Sequence, residues 1–143
     1  MSRFSYSDEV LRKLFSDVRT VALVGASPRG ARRASWRVMR FFQRHGYKIY
    51  PVNPEALGRE IHGEKVYAAL KDLPEKVDLV DIFRRSAKVA PVVDAAIAAG
   101  APYIWMQLDV IDEAAAAKAE AAGATVIMDR CPAIELPRLQ RAA

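Results

Sequence analysis

Apolar and polar positions alternate along this chain in two registers: short β-branched runs, and longer stretches with helical spacing. Thr20 opens the run Val21-Ala22-Leu23-Val24, apolar throughout, as a strand covered on both faces must be. It leads into Gly25-Ala26-Ser27-Pro28-Arg29-Gly30, a glycine-bounded loop, and a helical pattern opens at Ser35. Trp36, Met39 and Phe42, helped by Val38 and Phe41, predict the buried face of a helix over 35–45, which Gly46 terminates. Further strands are predicted over 47–52, 77–83, 102–107 and 124–128. A helical pattern through Val89, Val92, Val93, Ala96 and Ile97 follows the third strand, and an alanine-rich helix capped by Asp112 and ended by Gly123 follows the fourth. Ahead of the first strand, Ser7 caps a helix with Val10, Leu11, Leu14, Phe15 and Val18 on one stripe. Five strands alternating with helices predict right-handed connections and a parallel sheet.

Several residues punctuate this pattern. Pro51 and Pro54 are expected to mark the exit of the second strand and to hold Asn53 at the same rim as Ser27. Asn53 is equally suited to bond its own backbone in a turn. Residues 56–74 are the least periodic, with a possible short helix over 67–71, and His62 reads as a surface turn residue. Ser86 is placed to cap the helix after the third strand, and Pro91 predicts that this helix begins late or bends. Asp81 interrupts an apolar strand and calls for a backbone or arginine partner. A basic C-terminal tail carries Leu136 and Leu139 as docking residues.

At 143 residues and 15.8 kDa the chain is read as one domain, 1–143, with one core. Its net charge of +5 is unevenly spread. Between residues 18 and 54 every formally charged residue is basic: Arg19, Arg29, Arg32, Arg33, Arg37, Arg40, Arg44 and Lys48. The excess therefore surrounds the glycine loop and suits an acidic ligand. Arg33, Arg37, Arg40 and Arg44, at helical spacing, read as a solvated face, while Arg29, Arg32 and Arg33, nearer the loop, are better placed to meet a ligand; no helix-turn-helix or RNP motif supports a nucleic-acid partner. A single cysteine, Cys131, excludes an internal disulfide and fits a reducing compartment. With no apolar leader and no long apolar run, a cytoplasmic protein off the membrane is expected. Two histidines far apart and one cysteine offer no metal-ligand cluster.

Strand, loop and helix in that order leave backbone N–H groups unpaired where the helix dipole favours negative charge, so a phosphate is the expected guest. Gly25 and Gly30 fill the outer positions of the G-x-G-x-x-G fingerprint, but Ser27 occupies the middle one. That glycine lets a dinucleotide pyrophosphate approach, and the acidic residue that would bind ribose hydroxyls is missing from Tyr50-Pro51-Val52-Asn53-Pro54. NAD is therefore disfavoured. Arg84 and Arg85, at the end of the third strand, supply a second anion contact, since guanidinium binds phosphate bidentately. Ser27, Asn53, Arg84 and Gln107 all fall at carboxyl ends of predicted strands, where ligands of such sheets bind.

The blocks Val24-Gly25-Ala26-Ser27-Pro28, Tyr50-Pro51-Val52-Asn53-Pro54, Val77-Asp78-Leu79-Val80-Asp81-Ile82-Phe83-Arg84-Arg85-Ser86, Trp105-Met106-Gln107-Leu108 and Asp129-Arg130-Cys131-Pro132 occur in this order. With them the chain resembles the CoA-binding protein family, stand-alone relatives of the N-terminal domain of the succinyl-CoA synthetase α subunit. The resemblance implies a Rossmann-like three-layer α/β/α sandwich with a five-stranded, mainly parallel sheet, holding coenzyme A or an acyl-CoA. It would set Gly25, Ala26, Ser27 and Arg29 at the phosphates, and Pro51, Val52 and Asn53 beside the nucleotide. Phe83, Arg84, Arg85 and Ser86 would line the opposite wall, with Gln107 on the pantetheine side. Asp109 departs from the glycine usual after Gln-Leu and brings a negative charge to the rim. Neither His45 nor His62 resembles the phosphorylated histidine of the larger synthetases, so binding, as a carrier or sensor, is expected rather than autonomous catalysis. The alternatives are a subunit of an acyl-CoA synthetase completed by another chain, and an NADP-linked oxidoreductase; a partner protein or a homo-oligomer is compatible with each. Cys131 reads either as a buried small hydrophobe or as a thiol at the ligand mouth, able to form a mixed disulfide with CoA.

Overall fold

Ser7 Oγ accepts a hydrogen bond from the N–H of Val10 at 3.2 Å and caps α1 (Asp8–Asp17) in the computed structural model, which describes residues 5–142. Leu11, Leu14, Phe15 and Val18 are buried as expected, but Val10 is turned outward and 41% exposed. β1 (Thr20–Val24) follows, buried along nearly its whole length, and α2 (Ala34–Arg44) begins one residue earlier than its apolar stripe predicts. Val38, Met39 and Phe42 form its buried face, whereas Trp36 and Phe41 are only half-buried against the core.

β2 (Lys48–Val52) ends at Val52 as predicted and accommodates Pro51 as its fourth residue. The reason lies in the alternation of a parallel ladder. Lys48 N–H donates to the carbonyl of Arg19, just before β1, and Asn53 N–H points outward to Tyr67, so the nitrogen of residue 51 faces the outer edge, where no bond to β1 is lost. The long aperiodic connection holds single 3-10 turns at Pro54–Ala56 and Leu70–Asp72 and a two-residue hairpin, β3 (Glu60–Ile61) with β4 (Glu64–Lys65). His62 sits in the hairpin turn with φ of 51°.

β5 (Leu79–Ile82) leads through a 3-10 turn, Ser86–Lys88, into α3 (Val89–Ala98), which accommodates Pro91 in its first turn. Ser86 does not cap this helix. Its hydroxyl instead donates to the carbonyl of Asp109 at 3.3 Å and accepts from the N–H of Ile111 at 3.0 Å, tying the turn to the loop after the next strand. β6 (Tyr103–Met106), α4 (Glu113–Ala121) and β7 (Thr125–Ile127) follow, with Asp112 capping α4 through the N–H of Ala115 at 3.0 Å. The C-terminal segment expected as a tail is a helix, α5 (Pro132–Ala142), which buries Leu139 and packs Leu136 against the core.

The five main strands are all parallel, in the order β2-β1-β5-β6-β7. One core joins α1, α2 and α5 to the face bearing Val21, Leu23, Ile49, Leu79 and Trp105; the other joins α3 and α4 to the face bearing Ala22, Val24, Val80, Ile82 and Ile104. This is the three-layer, Rossmann-like arrangement. The chain steps from β1 outward to β2 and then returns to the other side of β1, so the winding reverses between β1 and β5. Helices covering opposite faces diverge there, and the crevice opens at the carboxyl ends of those two strands. No helix of the structure is long and apolar enough to cross a membrane among the described residues.

Candidate functional site

Gly25 is the pivot of the crevice. It has φ of +91°, and a Cβ placed on it would stand 2.3 Å from the carbonyl oxygen of Phe83, so only glycine lets β1 turn over the end of β5. The loop behind it is bonded tightly. Gly25 and Ala26 N–H groups both donate to Val52 O, at 2.8 and 3.4 Å. Ser27 N–H donates to Ser35 Oγ at 3.1 Å, and Arg29 N–H to Ser27 Oγ at 3.2 Å. The cradle of open N–H groups expected from the sequence is therefore not present at these four positions, because the loop uses them to hold itself in place. Asn53 adds to the bracing: its Nδ2 donates to Ala26 O at 2.8 Å and its Oδ1 accepts from Glu55 N–H at 3.0 Å. Asn53 is thus a turn-former, and it stands at the same rim as Ser27.

Positive charge at the crevice comes from side chains. A cavity of about 410 Å³ is lined by Gly25, Ser27, Pro28, Asn53 and Glu55 and by three arginines, Arg29, Arg33 and Arg59. Beside it, sharing Gly25, lies an apolar slot of about 280 Å³ walled by Val24, Val52, Leu70, Pro91 and Val92, with Arg84 and Lys88 at its margin. A third cavity of about 560 Å³ shares Arg84 with the slot and opens along Phe83, Arg85, Gln107, Leu108, Val110, Cys131 and Ile134. The start of α2 separates the first and third, giving Arg33 to one and Ala34 to the other. Three cavities thus meet around Gly25, Arg84 and one helix terminus.

Most of the residues singled out from the sequence come together in this way: Gly25, Ser27, Arg29 and Asn53 in the arginine cavity, Val52 and Arg84 at the slot, Phe83, Arg84, Arg85 and Gln107 in the third cavity. Three do not line these cavities. Ala26 is buried in the core, Pro51 is buried inside β2, and Ser86 is spent on the loop after β6. Arg59 and Lys88 line these cavities without being marked by the sequence, and the buried Ser35, read there only as a helix start, anchors the loop. Of the helical arginines, Arg40 and Arg44 stand exposed with Trp36, Phe41, His45 and His62 along a shallow cleft on α2, as a solvated face should. His62 stacks on Trp36 with ring centroids 4.1 Å apart.

The far wall contains buried polarity. Asp81, fully buried in β5, meets the amide of Gln107: turned nitrogen-first, that amide donates to the two carboxyl oxygens at 3.0 and 3.2 Å. The partner is thus neither backbone nor arginine. Burial pushes the Asp81 carboxyl group well above the usual carboxylate range. Asp109 resolves its own departure from the family pattern. Its φ is +66°, a left-handed conformation that glycine adopts freely and aspartate tolerates, and its N–H is held by Asp129 Oδ1 at 2.7 Å. Cys131 is a free thiol, 8% exposed, at once part of the core and of the third cavity's wall.

Comparison with known proteins bears on what such a crevice holds. The chain is 34% identical over 121 residues to YneT of Bacillus subtilis (strain 168), covering 85% of this chain and 87% of that protein. Its fold superposes on a protein from Pyrococcus horikoshii OT3 with a TM-score of 0.90 at 34% identity, covering 98% and 96% of the two chains. It also matches a dinucleotide forming acetyl-coenzyme A synthetase 1 of Ca. Korarchaeum cryptofilum, in complex with phosphate and ADP, with a TM-score of 0.63 at 28% identity. That match covers 76% of this chain and 25% of the synthetase. Residues 19–137 match the CoA binding domain, and the chain belongs to that family.

Proposed function

We propose that the protein binds coenzyme A or an acyl-CoA across the carboxyl edge of its sheet and acts as a carrier or sensor. The observation that carries this reading is the junction of three cavities of different character. CoA has the same three parts: a flat adenine, a cluster of phosphates, and a largely uncharged arm ending in a thiol. The apolar slot walled by Val24, Val52 and Val92 suits the adenine, with Arg84 and Lys88 at its margin. Arg29, Arg33 and Arg59 suit the phosphates. The cavity beside Phe83, Gln107 and Cys131 suits the thiol end. Each charge-assisted contact contributes roughly 1.5–3 kcal/mol, so a few arginines suffice for micromolar affinity, about −8 kcal/mol.

The two histidines support holding over reaction. His45 stacks on Phe41 and His62 on Trp36, both on the outer side of α2, and neither lines the three cavities. A second reading draws on the match to one quarter of an acetyl-CoA synthetase: a CoA-holding subunit completed by another chain. Titration calorimetry with CoA tests the main reading. A micromolar dissociation constant is expected; no heat with millimolar CoA overturns it, and fluorescence enhancement of NADPH on mixing would favour an oxidoreductase instead.

A further inference from the structure

The three cavities join at one place, and CoA branches at one place. Gly25 lines both the arginine cavity and the apolar slot, and Arg84 lines both the slot and the third cavity. The Arg84 side chain crosses close to the glycine, its Cδ 3.3 Å from where a Cβ would stand on Gly25. In CoA the branch point is the ribose, which carries the adenine, a 3′-phosphate and, through its 5′-pyrophosphate, the pantetheine arm. The apolar slot takes the base. The arm is the longest branch and largely uncharged, so it needs the largest cavity, about 560 Å³, where Phe83, Leu108, Val110 and Ile134 give apolar stretches. Its pyrophosphate enters past Arg84, where Arg37 and Arg85 also line the wall and Asp109 is the one carboxylate among them. The arginine cavity is left for the remaining branch. There Arg29, Arg33 and Arg59 stand with Ser27 and Asn53, and Glu55 is the one carboxylate. A phosphate monoester carries about −1.5 to −2 charge at neutral pH, which three guanidinium groups against one carboxylate complement.

We propose that the cavity lined by Arg29, Arg33 and Arg59 holds the ribose 3′-phosphate, and that the protein thereby selects CoA over dephospho-CoA. The inference rests on the CoA reading of the crevice and divides its two cationic clusters between the two phosphate groups of the ligand. Recognition by side chains follows from the loop, whose N–H groups at Gly25, Ala26, Ser27 and Arg29 already have acceptors within the protein. The three arginines come from both sides of the cavity, Arg29 and Arg33 from the glycine loop and the start of α2, Arg59 from the connection after β2. A carrier or sensor built this way reads the finished cofactor. Its ligand is the product of a reaction that phosphorylates a ribose 3′-hydroxyl, and the precursor lacking that phosphate is passed over.

Calorimetry with CoA and with dephospho-CoA tests it. CoA is expected to bind about tenfold more tightly or better, the yield of one charge-assisted contact. Equal affinities overturn the proposal and leave the CoA site standing; no binding by either ligand removes the CoA reading and this proposal with it. Arg29, Arg59 and Arg85 are exposed, so each can be replaced without opening the core. In the double variant Arg29→Ala and Arg59→Ala the ratio of the two affinities should fall toward one, whereas Arg85→Ala should weaken both ligands and keep the ratio. A ratio lost in Arg85→Ala and kept in the double variant puts the 3′-phosphate on the other cluster and overturns the assignment. Phosphorus NMR of bound CoA gives a second reading: the 3′-phosphate resonance should move in Arg59→Ala with the pyrophosphate resonances in place, and the reverse pattern overturns the proposal.

Discussion

On the β1 side of the crevice the backbone is braced by its own hydrogen bonds and the positive charge is carried by arginine side chains alone; on the β6 side apolar residues stand among charges of both signs, Arg37, Arg84, Arg85 and Asp109, over one buried polar pair. Val52 O, Ser35 Oγ, Ser27 Oγ and Asn53 hold the glycine loop from four directions, so Arg29 and Arg33 project from a fixed frame. Across the gap, Gln107 and Asp81 answer only each other, beside Phe83, Leu108 and Ile134. The difference teaches a division of labour. Phosphates are strongly hydrated and need charge delivered at the surface, while a largely uncharged arm gains from a groove with apolar stretches between its polar groups.

The comparison breaks most visibly at its hinge. Gly25→Ala sets a Cβ against the Phe83 carbonyl in a left-handed conformation, and a loss of about 2–4 kcal/mol is expected from urea unfolding, with CoA binding abolished. A variant with a wild-type midpoint would remove Gly25 from the centre of the site. Next comes the charged wall. Arg29→Ala is expected to weaken CoA binding by roughly 1.5–3 kcal/mol, most strongly at low salt, with the unfolding midpoint unchanged. If Gln107→Met costs CoA as much affinity as Arg29→Ala does, the division of labour is wrong. Ser35→Ala deprives Ser27 N–H of its acceptor and should cost about 1 kcal/mol in stability, with a smaller loss of affinity as the loop loosens.

The subtlest signal is a slope against pH. Because the folded Asp81 carboxyl group holds its proton more tightly than in the unfolded chain, the folded state binds more protons once pH exceeds the unfolded carboxyl value of about 3.9. Stability attributable to Asp81 is therefore full below that pH and is lost as pH rises toward the folded value. Urea unfolding at a series of pH values should show wild type losing ground to Asp81→Asn over that interval; parallel curves would mean Asp81 titrates normally.

How much of this could be read from the chain follows from what each feature depends on. β1 matches its predicted bounds residue for residue because a fully buried strand leaves an unbroken apolar run, and the caps at Ser7 and Asp112 announce themselves by residue type and position. The rim residues Ser27, Asn53, Arg84 and Gln107 were legible because strand ends in an alternating α/β pattern must share one edge. Pro51 marks the strand's exit by residue type, but why the ladder tolerates it depends on which edge its nitrogen faces, and strand order is a tertiary fact. Arg59 lies in the aperiodic connection, where charge is visible but position is not. Ser86 and Ser35 look alike as helix-start serines, yet one ties a distant loop and the other anchors the glycine turn; partners 25 and 8 residues away leave no periodic trace.

The outer edge of β2 carries a consequence for self-association. Pro51 presents no N–H there, its carbonyl already accepts from Tyr67 at 3.0 Å, and Tyr67 in turn receives Asn53 N–H at 2.9 Å. At Pro51 and Asn53 a strand arriving from a second molecule would find the donors and acceptors occupied, which opposes sheet extension at this end of the margin. A paired form meeting at that end would do so through side-chain surfaces instead of a shared ladder.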